Sequence, residues 1–283
     1  MSNNKTWLVT GASKGLGLAL VKQLLSKGYN VAATSRSAAD LTAAVGDHAA
    51  FLPLATDLVS EASVAGSVQQ IVDRFGRIDV VVNNAGYGQI GGVEELTDKE
   101  ARTNFDVNVF GSLNIIRAVM PLMRRQQSGH ILNISSIGGF TGAFPGWGIY
   151  CATKFAMEGF SEALAAEAAA FGVKVTVVAP GYFRTSFLTK ESMGLPANPI
   201  DAYASVRESV RMHQEDIDGN QPGDPEKAAA AMIDITNVEN PPLHLFLGAD
   251  AYGMAYKKIE AVTTDLEAWK SVTVATGFET AAV

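Results

Sequence analysis

The sequence is short of the residues that would commit it to disulfides, metals or polyanions. One cysteine, Cys151, stands in 283 residues, so no internal disulfide exists and nothing ties the chain to an oxidising compartment. Four scattered histidines, His48, His130, His213 and His244, have no metal-ligand spacing and no second thiol to join them. Positive charge is also scarce. The 22 Lys and Arg against 29 Asp and Glu leave a net charge of -7 and no basic stripe, which excludes a general nucleic-acid binder. No apolar run approaches the ~18 residues that a membrane span needs, and no signal-peptide pattern precedes the first strand-like segment. A cytoplasmic location is the default expectation. Charged residues at 18% and hydrophobic residues at 47% suit a globular chain long enough for one large α/β domain.

What the sequence does have is alternation. Lys5–Thr10, Tyr29–Thr34, Ala50–Leu54, Asp79–Val82, His130–Ile134, Lys174–Val178 and Leu243–Leu247 read as short apolar strands. Between them, Gly15–Lys27, Ala38–Val45, Glu61–Phe75, Lys99–Arg125 and Ala152–Phe171 read as helices, with Gly111 and Pro121 expected to bend or break the fourth. Strands that are apolar throughout, alternating with helices, are what a doubly wound parallel sheet covered on both faces requires. Residues 185–225 break the rhythm with glycines and prolines; lying near the carboxyl ends of the strands, they are a candidate substrate lid.

Thr10-Gly11-Ala12-Ser13-Lys14-Gly15-Leu16-Gly17 follows the first strand and opens the first helix. Glycines there let the backbone approach a ligand, and the helix N-terminus favours a pyrophosphate. The GxxxGxG spacing differs from GxGxxG, and no Lys-Ser/Thr pair follows, which argues against an NTPase loop. The second strand ends Thr34-Ser35-Arg36 without a carboxylate. An NAD site usually carries an acid here for the ribose hydroxyl, whereas Arg36, with Lys14, suits the 2′-phosphate of NADP.

Tyr150-Cys151-Ala152-Thr153-Lys154 sets a phenol and an ammonium on one helix face. A free tyrosine titrates at ~10, and the nearby charge is expected to lower that value. A shift of two or three units asks for roughly 3–4 kcal/mol. Fourteen residues earlier, Asn133-Ile134-Ser135-Ser136 ends a strand. A serine there would hold a substrate oxygen, while capping a turn is the plainer role, assigned to Ser135 more readily than to Ser136.

With these motifs in this order, the chain resembles the short-chain dehydrogenase/reductases over roughly residues 5–190. Asn83-Asn84-Ala85-Gly86, Asp106-Val107-Asn108-Val109 and Pro180-Gly181 followed by Thr185 complete the match. The resemblance implies a Rossmann-like α/β fold with a seven-stranded parallel sheet. It also implies NADP(H)-dependent interconversion of a carbonyl compound and its alcohol. Tyr150 would be the general acid or base, Lys154 would bind the nicotinamide ribose, Ser136 would polarise the carbonyl, and Asn108 would anchor a relay water. Cofactor contacts are expected from Gly11, Ser13, Lys14, Gly15, Leu16, Gly17, Ser35, Arg36, Asp57, Leu58, Asn84, Ala85, Gly86, Tyr150, Lys154, Pro180, Gly181, Phe183 and Thr185, with no metal.

Aromatic and apolar residues near the motifs, namely Phe144, Trp147, Tyr182, Phe187, Met193, Leu195 and Tyr203, suggest an apolar carbonyl substrate if they face it. Cys151 is expected to be a small buried residue. Residues 249–283 extend past the usual family end through a helix-like Tyr252–Lys270, which argues against the family's tetramer. Ala152, Ala156, Gly159, Ala163, Ala166 and Ala170 make a small-residue stripe suited to a homodimer, with Phe155, Phe160, Leu164 and Phe171 expected to pack on the sheet. The whole chain is expected to be one domain. A redox-sensing regulator that binds NADP without turnover is the alternative, and the presence of both Tyr150 and Lys154 weighs against it.

Overall fold

In a computed structural model of the chain, the apolar runs read from the sequence are strands, and the five inner ones are buried along most of their length. The structure describes residues 5–189 and 192–278; Met1–Asn4, part of the expected lid and the last residues of the C-terminal extension lie outside them. The strands are β1 (Thr6–Thr10), β2 (Asn30–Ser35), β3 (Phe51–Ala55), β4 (Val80–Asn83), β6 (Gly129–Ile134), β7 (Val173–Pro180) and β9 (His244–Leu247), with β5 (Gly88–Gln89) and β8 (Met193–Gly194) forming a small separate pair. The large sheet has seven strands, all parallel, in the order β3-β2-β1-β4-β6-β7-β9. This is the doubly wound, Rossmann-like α/β fold. The order reverses between β1 and β4, and the crevice beyond the carboxyl ends of those strands is where such sheets take ligands.

Helices α1 (Gly15–Ser26), α2 (Ala38–Val45), α3 (Glu61–Phe75), α4 (Asp98–Phe105), α5 (Gly111–Gln126), α6 (Gly148–Ala168), α7 (Ala204–Arg211), α8 (Pro225–Ile235), α9 (Ala249–Ala268) and α10 (Lys270–Val274) complete the chain. Successive strand residues point to opposite faces. Trp7 and Val9 therefore join Leu20, Leu24 and Met232 in one core layer, while Leu8 joins Val64, Ile71, Ile115 and Leu164 in the other. Pro53 is tolerated in β3 because that strand is an edge.

Three expectations need correction. The long helix over 99–125 does not break at Pro121, and its interruption lies directly before Gly111. It is interrupted by one π turn, Asp106–Phe110, and α5 then runs through Pro121. Pro121 and Arg117, whose carbonyl it leaves without a helical donor, are both exposed. Second, Phe155 does not pack on the sheet. It is 43% exposed and shares the outer face of α6 with the small-residue stripe, because positions 152, 155, 156 and 159 fall on one side of a helix. Phe160, Leu164 and Phe171 do pack inward. Third, the irregular stretch 185–225 has structure of its own, including β8, α7 and a π turn at Met212–Ile217.

Glu95 pins this excursion. Its buried carboxylate accepts from Ile200 N at 2.7 Å, Gly92 N at 2.6 Å and Arg207 Nη2 at 2.6 Å. Burial pushes the Glu95 carboxyl up, but these donors together hold it below its ordinary value. At the other end of the chain, α9 buries only Ala251 and Ala255, which pack with Ile137, Phe140 and Phe246, and leaves Tyr252, Tyr256, Ile259, Leu266 and Trp269 exposed.

Candidate active site

The β1–α1 turn is built so that its backbone approaches the crevice at the glycines. Gly11 and Gly15 have φ of +64° and +60°. A Cβ on Gly11 would lie 2.6 Å from Ala85 Cα, and one on Gly17 would lie 2.6 Å from Asn84 Nδ2. Asn84 Nδ2 donates to the carbonyls of Thr10 (2.9 Å) and Gly11 (3.1 Å), while Thr10 Oγ1 accepts from the N–H groups of Asn84 and Ala85. The loop after β4 thus clamps the turn. Helix α1 begins with no side-chain cap and no acidic residue in its first turn, so its amide N–H groups and positive end are left for an anion. A dinucleotide pyrophosphate fits that donor set.

A cleft of about 1070 Å³ runs from this turn to Tyr150. Gly11, Ser13, Lys14, Gly15, Leu16, Ser35, Arg36, Asp57, Leu58, Asn84, Ala85, Gly86, Ser136, Tyr150, Lys154, Pro180, Gly181, Phe183 and Thr185 all line it. Two sequence candidates do not. Gly17 is buried behind the turn, where its missing side chain makes room for Asn84. Asn108 lies in the π turn behind the wall, its Nδ2 donating to Tyr87 O and Thr153 Oγ1 and its Oδ1 accepting from Tyr87 N, each at 3.1 Å. Lys14, expected near a 2′-phosphate, instead donates to Ser192 Oγ across the cleft. Arg36 is exposed at the end of β2 and has no hydrogen bond or ion pair among the described residues.

Helix α6 starts at Gly148, earlier than its apolar pattern suggested, and carries Tyr150 and Lys154 in its first two turns. Both are buried, and Lys154 Nζ sits 5.7 Å from the centre of the Tyr150 ring. The ammonium donates to Ile134 O at 2.8 Å. A Cβ on Gly86 would come within 3.1 Å of Asn108 Oδ1 and 3.6 Å of Lys154 Nζ, so glycine there keeps the space beside the ammonium open. Ser136 Oγ accepts from Gly138 N at 3.0 Å, so it is Ser136 that caps the short turn after β6, contrary to expectation. Ser135 Oγ instead contacts Lys154 O at 3.4 Å.

The electrostatics also correct the sequence argument. Burial drives the Tyr150 phenol well above its ordinary value, the Ser136 hydroxyl pulls it only part of the way back, and Cys151 and Tyr182 add to the rise. Burial lowers the Lys154 ammonium to about 8, against the pull of the Glu158 carboxylate. Within this pocket the phenol is protonated beside a weakened ammonium. Desolvation outweighs the neighbouring charge.

At the far end the wall is apolar and aromatic, with Phe144, Trp147, Phe187, Leu188 and Met193. Cys151 is buried as expected but also lies in this wall, its thiol pushed up to about 11 by burial. Leu195 and Tyr203 are not in the wall: Leu195 is exposed, and the Tyr203 hydroxyl is bonded to Glu94. Sequence reasoning missed Asp250, whose Oδ2 accepts from Tyr182 N at 2.7 Å and so braces the turn after Pro180-Gly181. It also missed the polar groups of His213 and Gln221 in the cleft. A lone His or Gln in an irregular segment gives no signal of its own.

Comparison with known proteins follows the same outline. The family profile described as short chain dehydrogenase matches residues 5–194. An oxidoreductase of Botryotinia fuckeliana is 37% identical over 277 residues, covering 96% of this chain and 98% of that protein. A 3-ketodihydrosphingosine reductase of Bacteroides thetaiotaomicron is 37% identical over 243 residues, covering 85% and 87%. A crystal structure of a short-chain dehydrogenase from Streptomyces avermitilis superposes with a TM-score of 0.88 at 38% identity, covering 98% of this chain and all of that one. More distant structures of the same fold hold NADP in one case and NADH in another.

Proposed function

The chain belongs to the short-chain dehydrogenase family, an oxidoreductase family acting on CH–OH and C=O groups with a nicotinamide cofactor, and from that premise we propose that it is an NADP(H)-dependent reductase of apolar ketones or aldehydes, reversible to the alcohol. The observation that carries the reading is the single cleft joining the anion-ready turn of α1 to Tyr150, Ser136 and Lys154. Arg36, exposed and unpaired among the described residues, supports NADP over NAD, because a guanidinium matches a phosphate with paired donors.

The reduced nicotinamide, when bound, supplies the hydride. The rest of the chemistry is done by the protein's own side chains. Ser136 Oγ and the Tyr150 hydroxyl hold the carbonyl oxygen between them and stabilise the charge that develops on it. The buried phenol is protonated at neutral pH and gives its proton to that oxygen. Lys154, held by Ile134 O, faces the space that Gly86 leaves for a ribose hydroxyl. Asn108 fixes the Tyr87 loop against Thr153 and thereby positions Lys154, the next residue along. In the alcohol-to-carbonyl direction the phenolate form of Tyr150 takes the proton from the alcohol. The apolar wall supports a hydrocarbon-rich substrate over a charged one.

We further propose one domain spanning residues 1–283, with 185–225 as its lid and 249–283 as a C-terminal extension. The exposed small-residue face of α6 supports a homodimer rather than a tetramer, and a cytoplasmic small-molecule role fits the composition. Following NADPH and NADH absorbance against a panel of ketones, aldehydes, quinones and steroids tests the reading. Consumption of NADPH with at least one apolar carbonyl compound is the expected result, and none with either cofactor overturns it.

A further inference from the structure

The polar end of the substrate wall has a defined hydrogen-bond polarity. His213, 3% exposed, lies in the π turn of the lid, and its Nδ1 is 2.7 Å from the Ser209 carbonyl oxygen. A carbonyl only accepts, so Nδ1 carries the hydrogen. Burial disfavours the charged imidazolium and lowers the His213 pKa, which leaves Nε2 bare. The Tyr182 hydroxyl, 2.9 Å from Nε2, is therefore the donor of that bond. Its proton is committed to His213, and its oxygen keeps lone pairs for the cleft that both residues line.

Two further groups point the same way. Gln221 lines the cleft and is 2% exposed. Its Nε2 donates to Asp218 Oδ1 at 3.3 Å, which identifies the other amide atom as oxygen, and that Oε1 has no partner among the described residues. Beside them the Trp147 indole N–H is buried and has no partner among the described residues. Trp147 bridges the two ends of the pocket: its ring lies 5.4 Å from that of Tyr150 and 4.8 Å from that of His213. The wall facing the far end of a substrate thus carries the Tyr182 oxygen as its acceptor, with the Gln221 oxygen and the Trp147 N–H buried beside it.

We propose that Tyr182, oriented by His213, selects carbonyl substrates that carry a hydroxyl group remote from the reacting carbon, so that the preferred substrate is an apolar hydroxyketone or its diol. A hydroxyl supplies the hydrogen that the Tyr182 oxygen accepts. An ether or a second carbonyl only accepts and leaves the Tyr182 oxygen unsatisfied. This rests on the reductase reading above, but its test is a binding measurement.

The probes are straight-chain 2-alkanones of increasing length bearing a terminal hydroxyl, together with their terminal methyl ethers. Each is titrated calorimetrically into the protein saturated with oxidised cofactor, where no reduction occurs. At the best length the hydroxyketone binds about tenfold more tightly than its ether, the worth of one well-placed hydrogen bond. Tyr182→Phe brings that ratio below about twofold. His213→Leu frees the Tyr182 proton to donate, so the ether gains affinity while the hydroxyketone loses little. A merely structural role for His213 gives no such selective gain. Equal binding of the two probes at every length, or a preference that survives Tyr182→Phe, overturns the proposal. The same hydroxyketones with reduced cofactor separate the two ideas: selective binding without turnover keeps this proposal and removes the reductase reading.

Discussion

The Lys154 ammonium lies 5.7 Å from the centre of the Tyr150 ring yet gives its hydrogen bond to the Ile134 carbonyl, 2.8 Å away. The pair is close enough to share a ligand, but the lysine is held by the end of β6 and does not neutralise the phenol directly. Its charge is therefore a property of the pocket, set by burial and by Glu158.

A pH dependence follows. A lysine lowered to about 8 is charged below that pH and neutral above it. The kcat/KM for carbonyl reduction is expected to be level below about 8 and to fall above it as the ammonium is lost. Lys154→Arg, whose guanidinium stays charged, should lower activity but remove this alkaline fall. Initial rates across a buffer series check both.

Arg36→Ala should raise the KM for NADPH by roughly tenfold or more, as expected for the loss of a charge-assisted phosphate contact, and change that for NADH by less than about twofold. Steady-state kinetics with each cofactor at saturating substrate measure the ratio. Equal effects on both would remove the case for a 2′-phosphate contact.

Asn84→Ala deletes two donors to the glycine turn and leaves the carbonyls of Thr10 and Gly11 without them. The expected cost is about 1–3 kcal/mol of stability, with weaker cofactor binding because the turn loses its clamp. Chemical denaturation and cofactor titration read the two effects separately.

Glu95→Ala should loosen the proposed lid, since one carboxylate holds Gly92, Ile200 and Arg207 together. Substrate KM is expected to rise several-fold with little change in cofactor affinity. The wild-type carboxyl titrates below its ordinary value. The stability it adds is present above the unfolded value and lost as pH falls through the folded one. Proteolysis within residues 192–225 should accordingly increase in acid and in the variant.

Much of this molecule is legible in its sequence because short-range patterns carry it. Continuous apolar strands announced the parallel sheet, Gly11 and Gly15 the turn, and the spacing of Tyr150 and Lys154 their shared helix face. What stayed hidden joins residues far apart along the chain. Glu95 meets Arg207 at a separation of 112 residues, Tyr182 meets Asp250 at 68 and His213 at 31, and no periodicity links such partners. Burial was the other blind spot. The spacing placed a cation near Tyr150 but could not show that desolvation of the phenol would prevail, nor that Lys14 would reach for Ser192.

The central claim is that the Tyr150 hydroxyl gives the proton to the substrate oxygen. Tyr150→Phe removes one oxygen atom from a packed ring and should leave NADPH affinity within about threefold of wild type, while turnover of the best carbonyl substrate falls by about 10²–10⁴-fold. Stopped-flow measurement of NADPH binding and of a single turnover in the same variant gives both numbers. Wild-type turnover in the phenylalanine variant would contradict the account.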